Sequence, residues 1–250
     1  MTFRTALVML QGMSLSSWHI DCHVHSSCYS PCSRLRPEQA CRLASERGLG
    51  AIVFTEHQIQ WPQADLQILR SRSPGLAIYS GLELSLAEGF DIVCLLPEID
   101  LQLPYGLSLD ALEHALAPFG DEVFCFVAHP FRFLDRWDPD LDRMAPLLHG
   151  VEMNSVNILR GQACWEGDRL LPCRHELYRQ LADTGLVQMF NSDAHLAEAI
   201  GTVSTRISLA HQDIPADTGE LAALFRQHPR TYEHQNTNSL WPLVAGTAGI

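Results

Sequence analysis

The stretch His19-Ile20-Asp21-Cys22-His23-Val24-His25 sets two histidines two positions apart where a short apolar strand pattern ends. Alternate residues of a strand share a face, so the imidazoles of His23 and His25 can converge on one cation. A lone His-x-His is weak evidence, because a histidine is often just a satisfied polar residue of a core. The weight comes from the segments that follow. Reading outward, the pattern predicts strands over His19–His23, Ala51–Thr55, Ala77–Leu82, Asp91–Leu96, Val123–Ala128, Val151–Asn154 and Val187–Asn191. Most are short and apolar on both faces, as parallel strands covered by helices are. Helices are expected at Pro37–Arg47, which stops at Gly48, at Leu109–Leu116, and at Arg174–Thr184, which stops at Gly185. A further short helix is expected from Leu221 to Gln227. Such strand–helix alternation predicts a parallel α/β architecture.

The strand ends carry the chemistry. Glu56-His57 follows the second strand and Glu83 the third. Asp91 opens the fourth and His129 follows the fifth. Glu152 and Asn154 lie on the sixth, and Asp193-Ala194-His195 follow the seventh. In an α/β barrel the strand C-termini gather at one mouth, where active sites lie. Core histidines scattered by packing would not keep this phase. Imidazole and carboxylate donors without obligatory thiolate suit Zn, Mn or Fe, not an iron–sulfur cluster. A catalytic zinc takes three protein ligands and a water. The donor set exceeds that, so two or three divalent ions are expected, with Glu83 bridging two of them.

Composition narrows the reaction classes. The chain has 250 residues, 17 basic and 29 acidic, a net charge of −12, and every basic residue is arginine. Schiff-base, pyridoxal-phosphate and P-loop chemistries need a lysine amine and are excluded in their usual form. The acidic balance disfavours long nucleic acids, whose binding depends on basic side chains neutralising phosphates. No apolar run approaches the ~20 residues that span a bilayer, so no membrane association is expected. The eight cysteines include no CxxC pair. With Cys22, Cys94 and Cys125 in apolar strand runs, a reduced, cytoplasmic protein is expected. Residues 1–17 are expected to form a disordered extension, with Met13 as the natural start. Residues 18–230 are expected to form the hydrolase barrel, and 231–250 a loosely packed tail.

Five motifs in order resemble the PHP (polymerase and histidinol phosphatase) family: Asp21-x-His23-x-His25, Thr55-Glu56-His57, Gly81-x-Glu83, Ala128-His129-Pro130 and Ser192-Asp193-x-His195. The resemblance covers roughly residues 18–206. It implies a distorted seven-stranded (β/α)7, TIM-like barrel, a two- or three-metal centre, and phosphoester hydrolysis. By position it implies His23, His25, Glu83 and Asp193 at a first metal, Glu83, His129 and Asp91 at a second, and His57 and His195 at a third. Glu56 stands where the family usually has Asp and is expected behind the ligands. The loop after His25 normally offers a further His or Asp to the third metal; here it holds Cys28 and Cys32 as substitutes, for each of which plain loop packing is the stronger expectation.

The expected reaction is attack of a metal-activated hydroxide on a small phosphorylated substrate. Asp193 or His195 would move the proton, and Arg132 and Arg34 would bind the phosphoryl group. Trp61 could stack on a base or sugar, though packing of its own loop is the stronger expectation. Two rivals remain open. One is an amidohydrolase cleaving a C–N bond, whose binuclear members often use a carboxylated lysine that this chain cannot supply. The other is a degenerate metal-binding barrel that regulates or scaffolds a partner.

Overall fold

The structure, a computed structural model, describes residues 15–210, 213–227 and 230–245. All seven expected strands are present: β1 (Leu15–Val24), β2 (Ala51–His57), β3 (Ala77–Ser85), β4 (Asp91–Leu95), β5 (Phe124–Ala128), β6 (Gly150–Asn154) and, after a β7–β8 hairpin (Ala163–Glu166, Arg169–Pro172), β9 (Val187–Phe190). Two more follow, β10 (Val203–Ala210) and β11 (Tyr232–Gln235). The main sheet runs β11-β10-β1-β2-β3-β4-β5-β6-β9. Its ends approach one another. The Thr205 hydroxyl on β10 donates to the Phe190 carbonyl at 2.8 Å and accepts from the Phe190 N–H at 2.9 Å. A parallel bridge, Val24↔Ala194, joins β1 to the segment after β9. The result is a nearly closed barrel-like sheet.

This corrects the expected (β/α)7 description. The sheet has nine strands, not seven, and it is mixed. Strand β4 is antiparallel to both β3 and β5, and β10 is antiparallel to β1. The physical reason lies in the connection from Ser85 to Asp91. Only five residues link β3 to β4, and a parallel crossover takes about a dozen or more. A hairpin is the only outcome, and it delivers the first residue of β4, Asp91, to the mouth where the parallel strands end.

Helices α1 (Pro37–Glu46), α2 (Gln63–Arg72), α3 (Leu109–Leu116), α4 (Pro139–Met144), α5 (Val156–Leu159), α6 (His175–Ala182), α7 (Thr218–Gln227) and α8 (Thr237–Ala245) accompany the sheet. Ala40, Cys41 and Ala44 of α1 pack with Ile52, Phe54 and Ile78 of the strands. Alternate residues such as Ile20, Val53, Tyr79, Val93, Phe126 and Met189 gather in one apolar cluster, closed by Leu221, Ala222 and Phe225 of α7. The barrel is therefore filled below the mouth, as alternation along its strands requires.

Other expectations change here. Residues 1–14 lie outside the described residues, and from Leu15 the chain is already in β1, paired with β10 through Leu15↔Ala210. The segment expected as a loose tail instead holds β11 and α8, whose Leu240 and Val244 are buried in the core; residues 246–250 lie outside the described residues. Cys164 and Cys173 form a disulfide across the β7–β8 hairpin, which the reduced-thiol reading did not foresee. Among the described residues no helix is long and apolar enough to cross a membrane.

Gly81 shows how tightly the sheet is drawn. A Cβ there would lie 2.6 Å from the Cys94 carbonyl oxygen and 3.0 Å from Leu95. Backbone cannot yield as a flexible side chain can, so Gly81→Ala should destabilise the protein by about 1–3 kcal/mol. A lowered urea midpoint at unchanged m-value would show it; an unaltered midpoint would mean β3 and β4 separate freely.

Candidate metal centre

Each candidate ligand is placed by the end of a strand. His23 and His25 leave β1 through a register shift against β2 between Asp21 and Val24. The shift brings their Nε2 atoms to 3.1 Å. Asp21, buried at the same strand end, accepts from the Ser192 N–H at 2.9 Å, the Ser192 hydroxyl and the Gly201 N–H. It thereby ties the His-x-His segment to the loop bearing Asp193. Burial pushes the Asp21 carboxyl up to about 6, against the pull of those hydrogen bonds. His129 and Asp193 both have positive φ, 33° and 51°. Non-glycine residues seldom adopt that conformation, and where they do the surrounding structure must hold them.

Glu83 is the hub. Its Oε1 lies 3.3 Å from His23 Nε2 and 3.2 Å from His129 Nε2. Its Oε2 lies 3.3 Å from His25 Nε2 and 3.0 Å from His57 Nδ1. Asp193 Oδ1 stands 3.6, 3.5 and 3.4 Å from imidazole nitrogens of His23, His25 and His195. Among the described residues, three groups have donor atoms within 4.8 Å of one another: His23/His25/Asp193, His23/Glu83/His129 and His25/His57/His195.

The electrostatics follow from this crowding. Burial alone would raise the Glu83 carboxyl, but the His23 charge and the His129 hydrogen bond outweigh it and hold it well below the usual range. Burial likewise opposes charge on His23 and His129. The Asp193, Glu152 and Glu83 carboxylates lift His23 well above its ordinary value, and the Glu83 hydrogen bond with the Asp193 charge lifts His129 to about 9. His25 goes the other way, driven by burial to about 4. Protonated imidazoles thus balance buried carboxylates. The buried Asp193 Oδ1 nevertheless has no hydrogen-bond partner, and His57 Nδ1 lies 3.0 Å from Glu83 Oε2 without hydrogen-bond geometry. Buried polar atoms are normally paired, and a carboxylate oxygen and an imidazole nitrogen left over beside other donors are what a divalent cation takes. The residues present therefore fit a metal.

A frame of further polar groups holds the donors. Glu152 Oε1 accepts from His23 Nδ1 at 3.0 Å and from Asn191 at 3.0 Å, while its Oε2 accepts from the His129 N–H at 3.1 Å. Glu56 lies outside the three donor groups. It accepts from Ser26, from the Ser30 hydroxyl and from Trp61 Nε1. Ser30 Oγ also lies 3.3 Å from His25 Nδ1. Trp61 is buried and spent on Glu56, so it does not reach the mouth as a stacking platform.

The mouth is a cavity of about 400 Å³ lined by His57, Glu83, His129, Asp193 and His195 together with Cys32, Asp91, Asn157 and three arginines. Arg34 and Arg132 were expected there. Asp91 reaches the cavity but stays outside the three donor groups, its Oδ2 3.9 Å from His129 Nδ1. Cys32 lines the cavity, whereas Cys28 lines a separate pocket beside Tyr29. Two participants escaped the sequence reading, Asn157, whose amide donates to Asp193 Oδ2 at 2.5 Å, and Arg160, while Glu152 was named at its strand end without a role. The signal for Glu152 is an acid inside a mostly apolar strand.

No known family's sequence profile matches the chain, and no curated protein matches it by sequence. Solved structures do. PsfC from Pseudomonas syringae is 21% identical with a TM-score of 0.65, over 93% of this chain and 96% of that one. A protein described as a candidate metal-dependent phosphoesterase from Bifidobacterium adolescentis is 13% identical, TM-score 0.53, over 74% and 90%. An amidohydrolase from Chromobacterium violaceum, solved with sulfate and no metal, is 15% identical, TM-score 0.50, over 70% and 87%. At these identities the likeness is one of fold.

Proposed function

We propose that this chain is a metal-dependent hydrolase that cleaves a phosphate monoester of a small molecule at a centre of two or three divalent ions. The observation that carries the reading is the Glu83 carboxylate, buried and within 3.3 Å of four imidazoles, under a cavity walled by three arginines. The fold likeness to a candidate metal-dependent phosphoesterase supports it, as does sulfate, a phosphate-like anion, in the amidohydrolase of similar fold.

His23, His25, Glu83 and Asp193 would hold one ion, Glu83 and His129 with Asp91 a second, and His57 with His195 a third. When bound, such ions acidify a water, to a pKa of about 7 in zinc sites, and polarise phosphoryl oxygens. The rest is done by the chain. Asn157 fixes Asp193 through Oδ2 and leaves Oδ1 facing the imidazoles, where it can take up the proton of the attacking water. His195, partly exposed at the cavity wall, is placed to return a proton to the departing oxygen. Arg132 meets the phosphoryl oxygens in charge-assisted hydrogen bonds, and Arg34 lines the same cavity, placed to meet an anionic group of the substrate.

The test loads the protein with Mn, Zn or Fe and follows phosphate release from 4-nitrophenyl phosphate beside an amide panel. Elemental analysis should find at least two ions per chain. Amide cleavage without phosphate release would favour the C–N hydrolase reading. Ample metal with neither activity would favour a binding module, and a single weakly held ion would remove the multinuclear centre.

A further inference from the structure

We infer that the substrate carries a second anionic group, a carboxylate or another phosphate, seated by Arg34 and Arg160; the inference rests on the phosphoesterase reading above. The chain is acidic, with a net charge of −12, and elsewhere its arginines are mostly committed. Arg42, Arg70, Arg143, Arg169 and Arg226 each face a carboxylate within 4 Å, and Arg174 donates to the carbonyls of Phe131 and Leu134. Among the described residues the three cavity arginines form no ion pair within 4 Å. Gathering uncompensated like charges in one concave space is unfavourable unless an anion joins them.

Their anchorage spreads them around the mouth. The Arg34 N–H donates to the His195 carbonyl at 2.9 Å. The Arg132 N–H donates to the His129 carbonyl at 2.9 Å, and its guanidinium lies over Phe133. Arg160 Nη1 donates to Asn157 Oδ1 at 3.3 Å, and Asn157 in turn holds Asp193. Each arginine is rooted beside a different part of the donor cluster. Each guanidinium carries five N–H donors, whereas a phosphate monoester has three non-bridging oxygens, some of which must face the imidazole–carboxylate floor. One bidentate guanidinium satisfies what is left. Two arginines remain unspent. Arg132 is rooted directly beside His129 of the donor cluster and is the one assigned to the phosphate, which leaves Arg34 and Arg160 for a second anion. A cavity of about 400 Å³ suits a small metabolite with two anionic groups.

Calorimetry on the metal-loaded protein tests this with non-hydrolysable phosphonates. Three ω-carboxyalkylphosphonates with two-, three- and four-carbon chains are compared with their methyl-ended counterparts. At least one carboxylate compound should bind about ten- to a hundredfold more tightly than its counterpart, the size of one charge-assisted pair. Arg34→Gln or Arg160→Gln should collapse that ratio to below about threefold. Kinetics should agree, with 2-phosphoglycolate favoured over ethyl phosphate. Equal binding across the series, or a ratio unmoved in both variants, overturns the inference. A binding preference with no turnover of any phosphoester would leave the second-anion site standing and remove the phosphoesterase reading.

Discussion

Glu83→Gln is expected to cut phosphate release by at least about a thousandfold, because it removes the negative charge that joins the donor groups while keeping the side chain's volume. The loss has two sources. The carboxylate is within 3.3 Å of His23, His25, His57 and His129, so a neutral amide removes the donor common to them. The amide's N–H₂ can also accept nothing, and it faces imidazoles that at present meet an acceptor. Metal content should therefore fall with activity, and elemental analysis after dialysis is the direct measurement. A second readout needs no metal. The Glu83 hydrogen bond helps lift His129 to about 9, so in the metal-free variant the His129 imidazole should titrate nearer its ordinary value by NMR. Wild-type metal content together with an unmoved His129 would take Glu83 out of the centre.

That hub was legible because its chemistry follows strand phase. His23, His25, His57, Glu83, His129, Asp193 and His195 lie at or just past strand ends, and apolar runs such as Ala51–His57 and Phe124–Ala128 reveal those ends without a structure. What was lost was lost for physical reasons. Tyr232–Gln235 is a polar edge strand with no buried residue, so no apolar pattern marks it. Strand β10 has exposed Arg206 and Ser208 between buried neighbours, an alternation unlike the continuous apolar runs that mark the doubly buried strands. The direction of β4 could have been read, since five residues cannot make a parallel crossover. Arg160 and Asn157 could not. They sit on and beside a four-residue helix, and nothing local separates them from ordinary surface polar residues. Only the wiring of Arg160 to Asn157 and of Asn157 to Asp193 reveals their place.

Glu152→Ala should produce the second large effect, and it separates holding the donors from being one. Glu152 lies outside the three donor groups, yet its carboxylate takes the His23 Nδ1 hydrogen, one Asn191 amide hydrogen and the His129 backbone N–H. Truncation leaves two of these donors, the Asn191 amide and the His129 N–H, buried without an acceptor. At about 1–3 kcal/mol for each buried group left unpaired, the metal-free protein should lose about 3 kcal/mol or more. It also frees the His23 ring. A ligand imidazole presents one nitrogen to a metal because its other nitrogen donates to a fixed acceptor, and losing that acceptor typically costs 10–100-fold in metal affinity. Urea unfolding of the metal-free protein measures the first effect and metal titration the second. Glu152→Gln keeps the volume and one acceptor oxygen, so it should lose less stability while still weakening metal. It carries the comparison if the alanine variant does not fold. A purely structural glutamate would lower the urea midpoint and leave metal affinity intact. Glu152 as the brace of His23 and His129 requires both to fall.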